Sequence, residues 1–466
     1  MVASARPPNV LVIVMDTVRQ SDFPGGRDGV GGMPAVAALR RESVLYPNAV
    51  APAPWTVPSH ASLLTGMYPW EHGAHGHSDI RLAPTVPQLP ELLRPHGYRS
   101  ALFASNFLVG PETGLGTGAD YACWGEWWEG YLRGYGHPFP PHQRVASDPV
   151  DPPPARPREG GIWSLVRTAS PIAHRYPGTL DLAGRLLRGL RPNPPGTGEG
   201  VSPWIEPTLD RWLRAVPAES PVFVLVNLLD AHEPYFPPEG NGTTLAEWLR
   251  YAVVPQDRTG WLSGHWDPEP RSMEVLRKLY RSSIQAMDSR IRSMLRSFEE
   301  TGRWENTLCV LTSDHGQAFG DHDLFYHMLR VDESEVRIPL WVRYPGGEHG
   351  GGSARGWASL VDVAPTALRA AGAAGSPSEG AYPLDALIDG ERPRPVLSAA
   401  DGILWDPMAR GVTSDRRKQF DRPWVAAYSG EWKLTLDVQA GTAQAYRILD
   451  DPGEAQPLSI EGRPGL

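Results

Sequence analysis

Residues 9–16 read NVLVIVMD and are the clearest indication of the fold. They form an apolar, mostly β-branched run that ends in a carboxylate, which is typical of a parallel strand buried on both faces. Residues 222–230 (VFVLVNLLD) and 307–314 (TLCVLTSD) repeat the pattern. Ligands of open α/β sheets lie beyond the carboxyl ends of the strands. We therefore expect an α/β protein in which these three terminal carboxylates could converge.

The segments around these strands indicate how the chain is organised. Apolar residues recur at helical spacing over residues 273–300, which predicts a helix leading directly into the third strand, as in a βαβ crossover. Residues 125–200 are rich in Pro, Gly, Trp and Arg and predict an irregular insertion or lid. Short segments in which apolar and polar residues alternate, separated by Gly-containing turns, follow after residue 392. We therefore expect a domain over residues 1–391 and a small antiparallel subdomain over 392–466.

Composition excludes several classes of protein. The 466 residues carry a formal net charge of −9, with 21% charged and 41% hydrophobic residues, as in a globular protein. A net negative charge disfavours extensive binding of nucleic acid or of an anionic membrane, so we expect neither as a partner. Two cysteines cannot form a disulfide framework, and the apolar run at residues 10–15 is too short for a signal peptide. We therefore expect a cytoplasmic protein.

Residues 53–69, APWTVPSHASLLTGMYP, are the densest functional motif. The pattern places Thr56 at the amino terminus of a helix, where unpaired backbone N–H groups and the helix dipole favour an anion. The alternative is that Thr56 is an ordinary helix cap. This motif alone leaves both interpretations open.

Residues 312–322, TSDHGQAFGDH, place Asp314 and His315 side by side at the end of a strand. Together with Asp16, this pair suits Zn²⁺ or Mn²⁺ better than the all-oxygen ligand set of Ca²⁺. His232 follows the second of the three strands. It could protonate a leaving group or bind an anionic oxygen, or it could be a loop histidine bonded to backbone.

In order and spacing, these motifs resemble the sulfatase family of the alkaline phosphatase superfamily. The resemblance covers most of the chain outside about 125–200 and 375–420. It implies an α/β/α sandwich with a large, mostly parallel sheet and a smaller carboxy-terminal sheet, and it implies metal-assisted hydrolysis of a sulfate or phosphate ester. The segments that carry it are NVLVIVMDTVRQSDF, APWTVPSHASLLTGMYP, ELLRPHGYRSALFASN, LLDAHEPYFPP, NTLCVLTSDHGQAFGDH, RIPLWVRYPGG, SLVDVAPTAL and YRILDDPGEAQPL.

The sequence departs from the family at the residues that decide the mechanism. Thr56 stands where sulfatases carry a Cys or Ser that becomes formylglycine, so no formylglycine is expected. His60 replaces an Arg, Thr17 replaces an acidic residue after Asp16, and residues 105–107 lack the usual Lys and His. The resemblance is therefore nearer to the branches of the superfamily in which a metal-bound Thr attacks phosphorus.

On this basis we expect hydrolysis of a small-molecule phosphate or phosphonate ester through Thr56 as the nucleophile. One divalent metal ion is expected, Zn²⁺ or Mn²⁺ ahead of Ca²⁺ or Mg²⁺. Its ligands would be Asp16, Thr56, Asp314 and His315.

Further residues are candidates for contacts with the substrate. His232 would touch the substrate or protonate the leaving oxygen, while His60 and Asn106 would orient the nucleophile or an equatorial oxygen. His327 lies near the position of an active-site Lys in sulfatases, so it is a candidate anion contact, with a packing role as the alternative.

Other functions remain open at this point. They are sulfate ester hydrolysis, transfer of a phospho group to an alcohol, and binding without catalysis. A second metal would need another carboxylate and two histidines, which Asp230, His232 and His322 or His327 could supply, although the spacing is not that of the two-zinc branch. The sequence indicates neither the alcohol portion of the substrate nor the oligomeric state.

Overall fold

The computed structural model describes residues 6–75, 80–124, 204–235 and most of 254–458. Within the last range, short gaps fall at 255, 257, 263, 265–266, 374, 376–377, 391–394, 403–414 and 416–418. The predicted insertion at 125–200 and the predicted boundary between residues 391 and 392 lie outside the described residues.

The strands of the described chain are named in sequence order. They are β1 (Asn9–Met15), β2 (Val44–Leu45), β3 (Ala49–Val50), β4 (Arg99–Ala104), β5 (Tyr121–Trp124), β6 (Val222–Leu228), β7 (Thr307–Thr312), β8 (Ala318–Phe319), β9 (Phe325–Tyr326), β10 (Arg337–Ile338), β11 (Leu340–Arg343), β12 (Ala358–Ser359), β13 (Val396–Ala400), β14 (Trp424–Ser429), β15 (Trp432–Asp437) and β16 (Thr442–Arg447).

The α-helices are named in the same way. They are α1 (Pro34–Arg41), α2 (Thr56–Thr65), α3 (Pro69–His72), α4 (Leu89–Leu93), α5 (Ile205–Ala215), α6 (Arg258–Leu262), α7 (Pro270–Glu300), α8 (Glu333–Val336) and α9 (Val363–Ala370). No helix in the described ranges has an apolar stretch long enough to cross a bilayer.

A seven-stranded sheet with the order β2-β11-β7-β1-β6-β4-β5 forms the centre of the molecule. The five strands from β7 to β5 are parallel, whereas β11 runs antiparallel to both β7 and β2. β1 lies between β7 and β6, with Val12 beside Val310 and Leu225. The three apolar runs of the sequence are therefore neighbouring strands, and the predicted α/β class is confirmed.

Helices cover both faces of this sheet. All seven residues of β1 are buried, and alternate side chains point to opposite faces. Val10, Val12 and Val14 join the apolar layer that includes α2, α4 and α9, whereas the layer on the other side includes α1, α5 and α7. The architecture is thus the predicted α/β/α sandwich.

Helix α7 confirms the predicted helix over residues 273–300. One side of it is apolar and buried against the sheet, with Tyr280, Ile284 and Phe298 inaccessible to solvent. The helix connects β6 to β7, which lie on either side of β1. This connection is the crossover that a parallel sheet requires.

The carboxy-terminal strands form a separate antiparallel sheet with the order β13-β14-β15-β16, as expected from the alternating segments. Lys433 in β15 attaches this sheet to α8. Its ammonium group is fully buried and contacts the carbonyl of Val331 (2.7 Å), Glu333 Oε1 (3.2 Å) and Glu454 Oε1 (2.7 Å). One buried cation therefore holds two carboxylates and a loop together.

We predict that Lys433→Met lowers the free energy of unfolding by about 3 to 5 kcal/mol, because it leaves Glu454 buried without its cation and removes one of the two cations that contact Glu333. Urea denaturation followed by circular dichroism measures this loss.

Arg447→Met is the matched control. It removes an ion pair of the same sheet, Arg447 with Glu431 at 2.7 Å, in which both side chains are at least half exposed. Solvent screens such a pair, so this variant should keep the denaturation midpoint of the wild type. Equal losses in the two variants would contradict the anchoring role of Lys433.

Candidate active site

Two of the three carboxylates that end the predicted strands meet at one point. Asp16 follows β1 directly and Asp314 lies two residues beyond β7, and both side chains are fully buried. Ligand atoms of Asp16, Asp314 and His315 all lie within 4.8 Å of one another. The prediction was wrong for Asp230, whose Oδ2 accepts a hydrogen bond from Arg290 Nη1 at 2.6 Å. The buried guanidinium of Arg290 in α7 binds this carboxylate, and Asp230 is not among the residues that cluster with Asp16.

Thr56 is the first residue of α2, as predicted, and is 3% exposed. The capping position belongs to the extended residue Trp55, whose side chain makes no capping hydrogen bond. Thr56 Oγ1 lies 3.5 Å from His315 Nε2 and 3.4 Å from Asn106 Nδ2. The hydroxyl therefore faces the cluster of Asp16, Asp314 and His315 instead of closing the helix end.

Each buried carboxylate has one bonded oxygen and one oxygen without a partner. Asp16 Oδ2 accepts from Asn106 Nδ2 (2.9 Å) and Asn227 Nδ2 (3.3 Å), and Asp314 Oδ1 accepts from the backbone N–H groups of Thr17 (3.3 Å) and His315 (2.9 Å). The other two oxygens, Asp16 Oδ1 and Asp314 Oδ2, have no hydrogen-bond partner in the described structure. They lie 3.7 and 3.5 Å from His315 Nε2.

The electrostatics of this cluster favour a cation. Burial raises the pKa of Asp314 to about 7, and burial together with the charge of Asp314 raises the pKa of Asp16. Burial also lowers the pKa of His315 to about 4, so its ring is neutral at pH 7. Its Nδ1 lies 2.9 Å from the carbonyl of Gly316 and donates to it, which leaves the lone pair on Nε2. Two unpartnered carboxylate oxygens, one imidazole nitrogen and one hydroxyl fit a divalent metal ion.

A glycine holds the turn after these ligands in place. The N–H of Gly316 donates to the carbonyl of Glu335 in α8 at 2.6 Å. A Cβ atom at this position would lie only 2.2 Å from the carbonyl oxygen of Ser334. Close approach of two backbone segments therefore requires glycine here.

The other predicted histidines lie around the cluster. The ring centroid of His327 is 4.5 Å from that of His315 and 5.0 Å from that of His232. Burial, followed by the charges of His315 and His232, lowers the pKa of His327 well below its usual value. Burial also acts to lower the pKa of His232, but the carboxylates of Glu233, Asp16 and Asp314 contribute to a net rise.

His60 and Asn106 contact Thr56 from within the protein. His60 is fully buried and its Nδ1 lies 2.9 Å from the carbonyl of Thr56, while burial lowers its pKa. The amide of Asn106 donates to both Asp16 and Thr56. These contacts orient Thr56, and orientation was one of the two roles expected for this pair. The catalytic role of Thr56 and a direct contact of the pair with substrate stay predictions.

Three residues that contribute to the site were missed in the sequence. Asn227 is the single amide within the apolar run of β6, and a lone polar residue in a buried strand could have marked it as part of the site. Gln317 lies in the TSDHGQ motif, and its Nε2 donates to Glu233 Oε2 at 3.0 Å. Thr17 adopts a left-handed backbone conformation (φ 63°) that directs its N–H at Asp314. No feature of the sequence marks that conformation.

The α/β/α sandwich, with its threonine beside a buried cluster of candidate metal ligands, is that of an ester hydrolase with an alkaline-phosphatase-like fold. The family model described as Sulfatase matches residues 8–373. The chain therefore belongs to the sulfatase family, as the motifs indicated.

Known relatives include hydrolases of more than one specificity. The ulvan-active sulfatase of Formosa agariphila is 25% identical over 73% of this chain, which spans 56% of that relative. A multifunctional alkaline phosphatase superfamily protein, PehA of Trinickia caryophylli, is 25% identical over 88% of this chain and 79% of its own. The crystal structure of the phosphonate monoester hydrolase of Agrobacterium radiobacter has a TM-score of 0.64 at 18% identity, covering 98% of this chain and 92% of that one. The last comparison supports the fold.

We predict that Asp314→Asn abolishes stabilisation by metal without destabilising the metal-free protein, because it removes an anionic ligand whose charge is costly to bury when no cation is bound. At a free metal concentration 100 times its Kd, the wild type should gain about 2.7 kcal/mol. Thermal unfolding in EDTA and in Zn²⁺ or Mn²⁺ measures both effects.

Asp230→Asn provides the comparison, because Asp230 also follows an apolar strand but pairs with Arg290. This variant should unfold at a lower temperature and keep the metal-dependent rise. A wild-type rise in Asp314→Asn would argue against the assigned metal ligands.

Proposed function

We propose that this protein hydrolyses a phosphate or phosphonate ester through a covalent intermediate on Thr56. The observation that carries the proposal is the position of the Thr56 hydroxyl. It begins a helix and lies 3.5 Å from His315 Nε2, beside two buried carboxylates that each have an unpartnered oxygen. A nucleophilic hydroxyl needs this combination of a fixed position and a nearby site for positive charge.

The residues of the chain divide the reaction between them. Asp16, Thr56, Asp314 and His315 would hold a divalent cation, which supplies charge neutralisation and lowers the pKa of a bound hydroxyl. Thr56 Oγ1 attacks phosphorus and the ester oxygen of the substrate leaves. Water then attacks the phosphorylated threonine, which releases phosphate or phosphonate and restores the hydroxyl.

Other side chains orient and protonate. Asn106 holds Thr56 Oγ1 and Asp16 Oδ2 at once, and His60 fixes the carbonyl of Thr56, so the nucleophile has little freedom to turn. His232 is the candidate donor of a proton to the leaving oxygen, because the surrounding carboxylates favour its charged form. The backbone N–H groups at the start of α2 face developing negative charge.

Two features favour phosphorus over sulfur. Threonine cannot be converted to the formylglycine aldehyde, so a standard sulfatase nucleophile is not expected. Residues 105–107 also lack the Lys and His that the resemblance implies as sulfate contacts, and the side chains that contact Thr56 and Asp16 in the described structure are asparagines and histidines.

Sulfate ester hydrolysis is the second candidate, and the similarity to the ulvan-active sulfatase favours it. Transfer of the phospho group to an alcohol uses the same first step with a different acceptor. The metal proposed is Zn²⁺ or Mn²⁺, ahead of Ca²⁺ or Mg²⁺, because a histidine nitrogen is among the ligands.

We predict that metal-reconstituted protein turns over aryl phosphate or phosphonate esters faster than aryl sulfates. Thr56→Ala should lower kcat by about a thousandfold or more, since the nucleophile is lost. Thr56→Ser should retain turnover. Steady-state assays give the rates, and mass spectrometry of acid-quenched enzyme detects phosphate on the peptide that contains Thr56.

Thr65→Ala is the control within the same helix. Thr65 is equally buried, but its hydroxyl donates to the carbonyl of Ala61 at the far end of α2. This variant should keep its kcat. Sulfate turnover that exceeds phosphoester turnover would overturn the proposal, and so would undiminished activity in Thr56→Ala. If water alone gives no hydrolysis and the alcohol of the substrate is released only when an acceptor alcohol is added, the reaction is group transfer.

A further inference from the structure

We propose that Glu233 is a positioning residue that holds His232 as the proton donor to the leaving oxygen, and that the alcohol released by this enzyme is an alkyl alcohol. The inference rests on the proposed function, in which Thr56 is the nucleophile, and deepens it by naming the alcohol portion of the substrate. The contacts that carry it surround the carboxylate of Glu233 and join the loop after β6 to the turn after β7.

Glu233 lies behind one edge of the His232 ring. Its Oε2 is 3.5 Å from His232 Nδ1, and its backbone carbonyl oxygen is 2.7 Å from the same nitrogen. A ring nitrogen that faces an oxygen acceptor carries a proton, so Nδ1 is the N–H that the protein holds. Nε2 is then the nitrogen that exchanges its proton with the substrate. A carboxylate close to an imidazole also stabilises the charged form of the ring.

No Lys or Arg forms an ion pair with Glu233 within the described residues. Glu233 is 9% exposed, and its ion pairs are with His232 and His327, whose Nδ1 lies 3.9 Å from the carboxylate. Asp230 shows the contrast, because Arg290 binds it at 2.6 Å. A buried carboxylate that lacks such a partner is stabilised when a neighbouring histidine becomes charged.

Gln317 holds the carboxylate in this position. Its Nε2 lies 3.0 Å from Glu233 Oε2 and 2.8 Å from the hydroxyl of Tyr235. A carboxylate oxygen can only accept, so the amide nitrogen faces Glu233, and the amide oxygen accepts from His327 Nδ1 at 2.7 Å. Glu233 therefore faces the N–H groups of Gln317 and of both histidines. This arrangement suits the support of a proton donor and not a second metal site.

The loop that carries His327 ties the proton donor to the nucleophile. The ring centroid of His327 lies 5.0 Å from that of His232. The residues on either side of it have positive φ angles, 72° at Tyr326 and 83° at Met328. Such a conformation is costly and persists where surrounding contacts enforce it. One such contact is the hydrogen bond from the N–H of Met328 to the carbonyl of Pro54 (3.0 Å), two residues before the proposed nucleophile.

The titratable groups that face His232 come from four loops. They are Glu233 on its own loop, Asp16 after β1, Asp314 and His315 after β7, and His327 after β9. Burial acts to lower the pKa of His232, and Glu233 is the largest of the contributions that give the net rise. A cation held by Asp16 and Asp314 would cancel their charges. Glu233 is then the carboxylate that still favours the charged ring.

The proton balance identifies the alcohol. As the bond from phosphorus to the ester oxygen breaks, His232 Nε2 gives its proton to that oxygen, and the neutral ring keeps its proton on Nδ1. The water that attacks the phosphorylated threonine then returns a proton to Nε2. A phenol is acidic enough to leave as its anion, whereas an alkyl alcohol is a far weaker acid and needs a proton in the transition state. A supported proton donor therefore suits esters of alkyl alcohols.

The test compares the ethyl and nitrophenyl esters of the same phosphoric or phosphonic acid on the Zn²⁺-loaded, full-length protein. Glu233→Gln keeps the shape of the side chain and an acceptor for Gln317. It should move the alkaline limb of the kcat profile for the ethyl ester to lower pH by about one unit, because His232 loses its proton earlier. On that limb kcat should fall about tenfold. The nitrophenyl ester should keep its kcat within about twofold, since its leaving group needs no proton.

Two further variants separate charge from structure. Glu233→Asp keeps the carboxylate and should keep the alkaline limb near that of the wild type. Glu42→Gln makes the same chemical change at an ion pair with Arg343 (2.7 Å) beyond the end of α1. This variant should change neither the rates nor the profile.

Nuclear magnetic resonance of the histidine rings gives a measurement that does not depend on turnover. In the Zn²⁺-loaded wild type, His232 should titrate above the usual value of about 6.5, and in Glu233→Gln it should titrate lower. A value below 6.5 in the wild type would overturn the inference even if Glu233→Gln failed to fold. Unchanged rates, or equal losses for both esters with an unmoved alkaline limb, would overturn it too.

The proposed function fails by a different result, which is undiminished turnover in Thr56→Ala. If turnover depends on Thr56 but Glu233→Gln affects both esters alike, the nucleophile stands and only the role of Glu233 and the alkyl alcohol are lost.

Discussion

The burial of two carboxylates side by side is the constraint on which the rest of this structure depends. Asp16 and Asp314 lie at the ends of β1 and β7, which are hydrogen-bonded neighbours, so the sheet itself brings them together. Asparagine amides and backbone N–H groups satisfy one oxygen of each and leave the other oxygens without a partner. In a buried site this arrangement is costly unless a cation is present. The neutral ring of His315 and the hydroxyl of Thr56 supply the remaining ligands that a metal ion would need.

The fold was largely predictable because its signals are local. Continuous apolar runs can be recognised without knowing their neighbours, and β1, β6 and β7 are such runs. The carboxy-terminal strands alternate between apolar and polar residues, and the predicted strands at Trp424, Trp432 and Ala445 correspond to β14, β15 and β16. The register that aligns Val12 with Val310 and Leu225 could not be predicted, since it depends on packing across the sheet.

The positions in the candidate site were predictable where they follow from the end of an element. Asp16, Asp314 and Thr56 were identified because each follows a strand or begins a helix. Asp230 has the same local pattern, but Arg290 lies sixty residues away in sequence, so its ion pair is invisible there. Positions such as Gln317 depend on contacts between distant loops. The cytoplasmic location, the domain boundary and the insertion remain predictions.

The glycine after His315 links regions that are distant in sequence. Gly316 packs against Ser334 and Glu335, and the same short helix α8 begins at Glu333, the partner of the buried Lys433. The turn that carries a candidate metal ligand and the carboxy-terminal sheet therefore both rest on one four-residue helix. The terminal sheet is in this sense a part of the scaffold of the site. Shortened versions of the enzyme that omit it, or chimaeras that exchange it, would need to rebuild the support of that helix before the chemistry could be transplanted.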